Sequence, residues 1–213
     1  MELLGLTGNI HFPCLLDSLI VSKKMAEHDK IYLTAESLLR DSFLLAEQIL
    51  KDGFTPNFIV AVWRGGTPVG IAVQELLQYA GIPTNHIAIR TSYYTGIDET
   101  EGSVRVHGLG YLIRELNYED SLLIVDDVFD SGRSIDAIIT TLEQRTRRNM
   151  PGDVRVATPW YKPGKNKTDR APDFYIHQTE AWLVFPHELQ GLTPTEVAQG
   201  KPGIADIVSR CGS

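Results

Sequence analysis

The stretch of sequence that decides the fold runs from residue 122 to residue 139 and reads LLIVDDVFDSGRSIDAII. Four apolar residues come first, followed by two adjacent carboxylates, Asp126 and Asp127, and then by a third carboxylate, Asp130. A short run that is apolar throughout is typical of a strand buried on both faces of a parallel sheet. The segment is therefore predicted to be a buried strand with acidic residues at its carboxyl end.

Strands and helices are predicted to alternate on both sides of this stretch. The predicted helices are a capped helix from Thr34 to Gly53, one over 68–79 and one over 135–147, and the predicted strands cover 58–62, 86–89, 122–125 and 154–158. Such alternation predicts an α/β fold with an open parallel sheet flanked by helices. In such sheets ligands bind beyond the carboxyl ends of the strands, which is where the three acids lie.

The composition excludes several classes of protein. The 213 residues are 43% hydrophobic and 22% charged, as expected for a chain that buries one substantial core. The net charge of −7 opposes general binding to nucleic acid phosphates. Cys14 and Cys211 show no metal-ligand spacing, so we expect neither a zinc site nor a disulfide framework, and a reducing cytoplasm fits. Polar residues interrupt the apolar stretch from Leu3 to Val21, so no membrane span is expected.

The residues after the buried strand suit a sugar phosphate. A glycine turn at a helix N-terminus points backbone N–H groups outward and adds the positive end of the helix dipole, and Ser131 and Ser134 can donate further hydrogen bonds. Asp126 and Asp127 suit the paired hydroxyls of a ribose or a hydrated divalent cation. The alternative is that Asp127 and Asp130 are only turn and cap residues.

This segment resembles the signature by which type I phosphoribosyltransferases bind phosphoribosyl pyrophosphate (PRPP): a strand, two acids, two apolar residues and Asp-Thr-Gly-x-Thr, with serines here in both threonine positions. The resemblance implies that Asp126 and Asp127 bind the ribose hydroxyls and that Asp130 is a general acid/base near the purine N7. The predicted site of the 5′-phosphate consists of Asp130, Ser131, Gly132, Arg133 and Ser134.

Two further segments resemble loops of the same family. Arg64, Gly65 and Gly66 follow the first core strand and resemble the loop that binds pyrophosphate. Glycines let backbone amides approach a ligand closely, and the guanidinium fork of an arginine suits phosphate oxygens. Between Arg90 and Leu109 the sequence is polar and holds three glycines, so a solvated loop is expected, with a plain surface hairpin as the alternative. Its Ser92-Tyr93 pair resembles the start of the mobile loop that closes over PRPP in hypoxanthine-guanine enzymes.

The segment from Trp182 to Glu188 resembles the base-binding segment of 6-oxopurine phosphoribosyltransferases, especially the xanthine-guanine type. The resemblance implies that Trp182 stacks on the purine, that Leu183 contacts the ring edge through its backbone and that Lys162 binds the 6-oxo group. Glu188, with Asp126 and Asp127, would hold Mg²⁺. The alternative for Trp182 is a core residue, since aromatic residues near a chain end are more often buried. The alternative for Lys162 is an exposed loop lysine. His187 is expected to be a solvated or packing histidine.

The resemblance therefore implies a magnesium-dependent, purine-salvage transferase that moves the phosphoribosyl group of PRPP to N9 of hypoxanthine, guanine or xanthine. Pyrophosphate and a nucleoside monophosphate would be the products, and a homo-oligomer, dimer or tetramer, is the common state in the family. We expect one domain over 1–213, with a core of about 32–160 and a small hood formed by 1–31 and 161–213. The alternatives are a PRPP-sensing regulator of the same fold and a transferase for another base.

Overall fold

The computed structural model of the protein describes residues 30–94 and 103–211. The strands are β1 (Lys30–Tyr32), β2 (Phe58–Trp63), β3 (Asn85–Tyr94), β4 (Ser103–His107), β5 (Ser121–Val125), β6 (Val128–Phe129), β7 (Asp153–Tyr161), β8 (Phe174–Gln178) and β9 (Trp182–Val184). The helices are α1 (Ala35–Asp52), α2 (Gly66–Tyr79), α3 (Gly110–Glu115), α4 (Arg133–Thr146), α5 (Pro194–Gly200) and α6 (Pro202–Cys211). None of these helices is long and apolar enough to span a bilayer.

The main sheet is almost entirely parallel, which confirms the predicted α/β fold. Its strands follow the order β4-β3-β2-β5-β7, and both β6 and β8 also pair with β7. Among the strands that the structure describes, only the β3–β4 pair at one edge is antiparallel. The carboxyl ends of β2, β5 and β7 consequently meet at one edge of the sheet, and this edge carries the predicted site.

The prediction of a loop between Arg90 and Leu109 is partly wrong. Strand β3 continues to Tyr94, and β4 returns beside it, so the hairpin that was the alternative interpretation is present. Its cross-strand pairs include Thr91 with Val106 and Tyr93 with Val104, which are β-branched and aromatic pairs that stabilise a ladder. The turn over 95–102 lies outside the described residues.

Strand β5 is buried on both faces because helices cover the sheet on each side. Leu123 and Val125 pack into a core cluster with α1 and α2, whereas Leu122 and Ile124 pack into a second cluster with α3 and α4. All four residues are fully buried. The unbroken apolar run in the sequence reflects this burial on two sides.

Helix α2 packs unusually close to β2, and this contact places the turn between them. A Cβ atom on Gly70 would lie 2.8 Å from the Cβ of Ala61, closer than side chains pack. The helix begins at Gly66, two residues before the predicted start. The close packing therefore fixes the β2–α2 turn against the carboxyl end of the sheet.

A second, two-stranded parallel sheet joins the two ends of the described chain. Strand β1 pairs with β9, with Lys30 opposite Trp182, and helices α5 and α6 follow β9. Lys30 forms an ion pair with Glu196 of α5, and this contact is the main reason that the pKa of Glu196 falls to about 2. Residues 1–29 of the predicted hood lie outside the described residues.

The α2–β2 contact predicts opposite effects for two glycine-to-alanine substitutions. Gly70→Ala should lower the free energy of unfolding by about 1–2 kcal/mol, because overpacking outweighs the gain in helix propensity. Gly203→Ala in α6, where nothing lies within 4 Å of the added Cβ, should be neutral or stabilising. Urea unfolding measures both values. Equal changes in the two variants would contradict the close contact.

Candidate active site

A cavity of about 450 Å³ opens at the carboxyl ends of β2, β5 and β7. Most of the residues predicted for the site line this cavity, although they come from four separate parts of the sequence. They are Arg64, Gly65, Asp126, Asp127, Asp130, Lys162, Trp182, Leu183 and Glu188. The cavity is also lined by residues that were not predicted, namely Val62, Trp63, Thr91, Val128, Lys165, Phe185 and His187.

Asp126 and Asp127 form a desolvated pair of carboxylates directly after β5. The backbone N–H groups of Asp127 and Gly66 donate to the Asp126 carboxylate, the former at 2.9 Å. Burial is the main cause that raises the pKa of Asp126 well above its ordinary value, with the charge of Asp127 adding to it. Burial also raises the pKa of Asp127 to about 6, and Glu188 contributes through its charge. The pair is thus poised to receive a cation or hydroxyl donors.

The β2–α2 turn touches this pair so closely that only glycine fits. A Cβ atom on Gly65 would lie 1.7 Å from Oδ2 of Asp127, and one on Gly66 would lie 2.4 Å from the carbonyl oxygen of Val125. The peptide bond between Trp63 and Arg64 is cis. The backbone of the turn therefore borders the carboxylates directly, with Arg64 at the cavity wall.

The predicted phosphate turn leads from Asp130, which lines the cavity, into α4, and Ser131 to Ser134 lie beside the cavity. Gly132 adopts a left-handed conformation with φ of 75°, and an added Cβ would lie 2.6 Å from Oγ1 of Thr168. The N–H of Lys167 donates to the Ser131 carbonyl at 3.0 Å. The segment after Lys165, for which the sequence offered no assignment, thus packs against the phosphate turn.

Lys162 is buried and pairs with Asp130. Its side chain is 7% exposed, and its Nζ lies 3.2 Å from Oδ2 of Asp130. The N–H of Lys162 also donates to the carbonyl of Phe129 at 2.9 Å, which ties the end of β7 to β6. The interpretation of Lys162 as an exposed loop lysine is therefore wrong.

Trp182 forms an exposed aromatic wall, so its interpretation as a core residue is also wrong. The residue is 58% exposed, whereas its neighbour Leu183 is buried. Lys30 lies beside the indole, with its Nζ 5.8 Å from the ring centroid. An exposed tryptophan at the mouth of a polar cavity presents a large flat apolar surface to a ligand.

His187 packs on Phe185, as expected, but it also lines the cavity, which was not predicted. Its Nε2 lies 3.6 Å from Oδ2 of Asp127, and its ring stacks on Phe185 with 5.7 Å between centroids. Burial lowers the pKa of His187, the charges of Arg64 and Lys201 lower it further, and Glu188 opposes them. The one sequence signal for its role was its position next to Glu188.

The Ser92-Tyr93 pair does not line the cavity in the described part of the chain, although the preceding Thr91 does. The hydroxyl of Ser92 lies 3.1 Å from Nε2 of His107, and Tyr93 is 62% exposed. Both residues belong to β3. The mobile loop that was predicted to start here stays a prediction.

The carboxylates suit Mg²⁺ only in combination with further oxygen ligands. Asp126, Asp127 and Glu188 supply the hard oxygen donors that Mg²⁺ prefers. Among the described residues, however, no three His, Cys, Asp or Glu side chains converge closely enough to hold a metal ion. Mg²⁺ commonly binds through one or two carboxylates, waters and substrate phosphates, and the residues present fit that mode.

A sequence model of the phosphoribosyl transferase domain matches residues 30–190. The chain belongs to this family. The matched range covers β1 to the turn after β9 and thus every residue of the cavity. No match was found among curated protein sequences.

Solved structures of other proteins share the fold. A purine phosphoribosyltransferase from Pyrococcus horikoshii Ot3 is 26% identical over 78% of this chain and 97% of that chain, with a TM-score of 0.58. A hypothetical protein from Neisseria gonorrhoeae with bound ppGpp is 20% identical over 87% and 98%, with a TM-score of 0.65. The xanthine-guanine-hypoxanthine phosphoribosyltransferase of Helicobacter pylori is 18% identical over 73% and 91%, with a TM-score of 0.55.

The raised pKa of Asp126 predicts that Asp126→Asn stabilises the protein at alkaline pH. The pKa of this carboxyl group is about 3.9 in the unfolded state and higher in the folded state. The free energy of unfolding of the protein therefore falls as the pH rises from the unfolded-state pKa to the folded-state pKa. The gain in melting temperature should therefore be larger at pH 8 than at pH 4. Asp169→Asn, an exposed control, should leave the melting temperature unchanged at both pH values. A lower melting temperature of Asp126→Asn at pH 8 would contradict the desolvated pair.

Proposed function

We propose that the protein transfers the 5-phosphoribosyl group of PRPP to N9 of a 6-oxopurine, that is hypoxanthine, guanine or xanthine, with release of pyrophosphate. The observation that carries this proposal is the buried Lys162 beside Asp130, in the same cavity as the exposed Trp182. An ammonium group donates three hydrogen bonds and accepts none. It therefore suits the 6-oxo group of these bases and disfavours the 6-amino group of adenine.

The other end of the cavity suits PRPP. Asp126 and Asp127 would accept hydrogen bonds from the two ribose hydroxyls, and the turn from Asp130 to Ser134 would hold the 5′-phosphate at the N-terminus of α4. Arg64 and the adjacent glycine amides would hold the pyrophosphate.

The reaction breaks the bond between ribose C1 and the pyrophosphate oxygen, which leaves with the electron pair, while N9 of the purine forms the new bond to C1. The purine loses one proton overall. Asp130 would exchange a proton with the base at N7, and Lys162 would stabilise negative charge on the 6-oxo group as it develops. One or two of the carboxylates of Glu188, Asp126 and Asp127, together with the pyrophosphate oxygens, would hold Mg²⁺, which would supply charge that neutralises the pyrophosphate.

The proposal is tested by product formation from PRPP and each of a panel of bases. Hypoxanthine, guanine and xanthine should each be measured beside adenine and orotate, in the presence of Mg²⁺. We expect nucleoside monophosphate from at least one 6-oxopurine, and its loss in excess chelator. Turnover of adenine or orotate alone would contradict the assignment of Lys162, and full turnover in chelator would contradict the magnesium requirement.

Asp130 should affect the rate of the reaction more than the binding of substrates. Asp130→Asn keeps the shape of the side chain but loses its basicity, so kcat should fall about 10²–10⁴-fold. Asp127→Asn, three residues earlier in the same cavity, is the matched variant and should chiefly raise the KM for PRPP, because a ribose hydroxyl loses a charged acceptor. Near wild-type turnover of a folded Asp130→Asn variant would show that Asp130 is only a helix-entry residue.

Trp182 should act on the base alone. Trp182→Ala removes the stacking surface, which is worth about 1–3 kcal/mol per base in nucleic-acid binders, so the KM for the purine should rise and that for PRPP should stay nearly constant. Trp182→Phe keeps an aromatic face and should restore part of the affinity. An unchanged KM for the purine in Trp182→Ala would remove the tryptophan from the proposed base site.

A further inference from the structure

Lys201 is a buried lysine that lies outside the cavity lining and follows Glu188, the last residue of that lining, by 13 positions. It lies at the junction of α5 and α6 and is 8% exposed. Within the described residues only Lys162 is another buried lysine. The resemblance to known enzymes assigned nothing to this region, so its buried charge calls for a separate explanation.

The ammonium group of Lys201 is directed at the turn that carries the end of the proposed site. It donates to the carbonyl oxygens of Phe185 and Pro186, the latter at 3.1 Å. The Phe185 carbonyl also accepts from the N–H of Glu188 at 3.0 Å. Lys201 thus binds the first two residues of the turn, whereas the last two, His187 and Glu188, line the cavity.

A purely structural function would not require a charge at this position. Burying an ammonium group is costly unless it is hydrogen-bonded, and burial lowers the pKa of Lys201, with Glu188 opposing this through its charge. Apolar residues of similar volume often stabilise a protein as well as buried charges do. The carbonyls that Lys201 binds directly precede His187 and Glu188, so the charge is placed where it orients those two side chains.

We propose that Lys201 is a positioning residue that holds the 185–188 turn so that His187 and Glu188 face Asp127. The inference rests on the proposed function, in which Glu188 acts on the pyrophosphate side of the site. Trp182, by contrast, is held by the pairing of β9 with β1 and should not depend on Lys201. Loss of Lys201 should therefore affect PRPP and not the purine.

The test compares Lys201→Met with Lys201→Arg, which keeps hydrogen-bond donors, and with Lys51→Met, an exposed control on α1. In Lys201→Met we expect the KM for PRPP to rise about tenfold or more, as is usual when the support of a ligand-binding group is removed. The KM for the purine should change less than about twofold, and Lys201→Arg should recover most of the PRPP affinity. Lys51→Met should match the wild type.

Hydrogen exchange of the backbone amides of Phe185, His187 and Glu188 supplies a readout that needs no substrate. These amides should exchange faster in Lys201→Met and in Lys201→Gln, whose shorter amide can reach at most part of the turn, while the amides of β9 stay protected. Lys201→Gln keeps the comparison valid if the methionine variant does not fold.

A wild-type protein that turns over no base would overturn the proposed function alone, because hydrogen exchange still tests whether Lys201 positions the turn. Unchanged exchange, or a lower melting temperature with both KM values unchanged, would overturn the role of Lys201.

Discussion

The close contact between the β2–α2 turn and the carboxyl end of β5 is the constraint on which the rest of the site depends. Gly65 and Gly66 lie so near to Asp127 and Val125 that a single added methyl group on either glycine would overlap them. The contact is possible because α2 packs on β2 through Gly70, and because β2 and β5 are neighbours in a parallel sheet. Two chain segments that are distant in sequence thereby form one continuous surface of backbone amides and carboxylates.

This arrangement costs stability in the ligand-free protein. Two adjacent carboxylates are desolvated together, and the pKa of each is raised because burial disfavours its charge. A bound cation, or hydroxyl groups that donate to the carboxylates, would offset that cost. Functional sites are commonly places where a fold retains such unfavourable groups. Two buried lysines lie near this pair along the chain of contacts: Lys162 pairs with Asp130, and Lys201 binds the turn that precedes His187.

The sequence predicted those parts of the structure whose signals are local. The apolar run of β5 with the acids after it, and the glycine turns before α2 and α4, are each a short run of consecutive residues. The structure brings these runs to one edge of the sheet. The β3–β4 hairpin was only the alternative interpretation, because its polar residues and glycines are also typical of a solvated loop and the cross-strand pairs that stabilise it are not evident from the sequence. His187 and Lys201 could not be assigned, because their positions depend on contacts between segments that no periodicity records.

The central claim of this account is that the β2–α2 turn and the end of β5 form one site for PRPP. Isothermal titration calorimetry tests this claim most directly. The wild-type protein is titrated with PRPP in the presence of Mg²⁺, and the titration is repeated with pyrophosphate and with ribose 5-phosphate as competitors. The account predicts one PRPP per chain and competition by both compounds, because each occupies one half of the same surface. Absence of PRPP binding by the folded protein, or binding that neither competitor displaces, would contradict it.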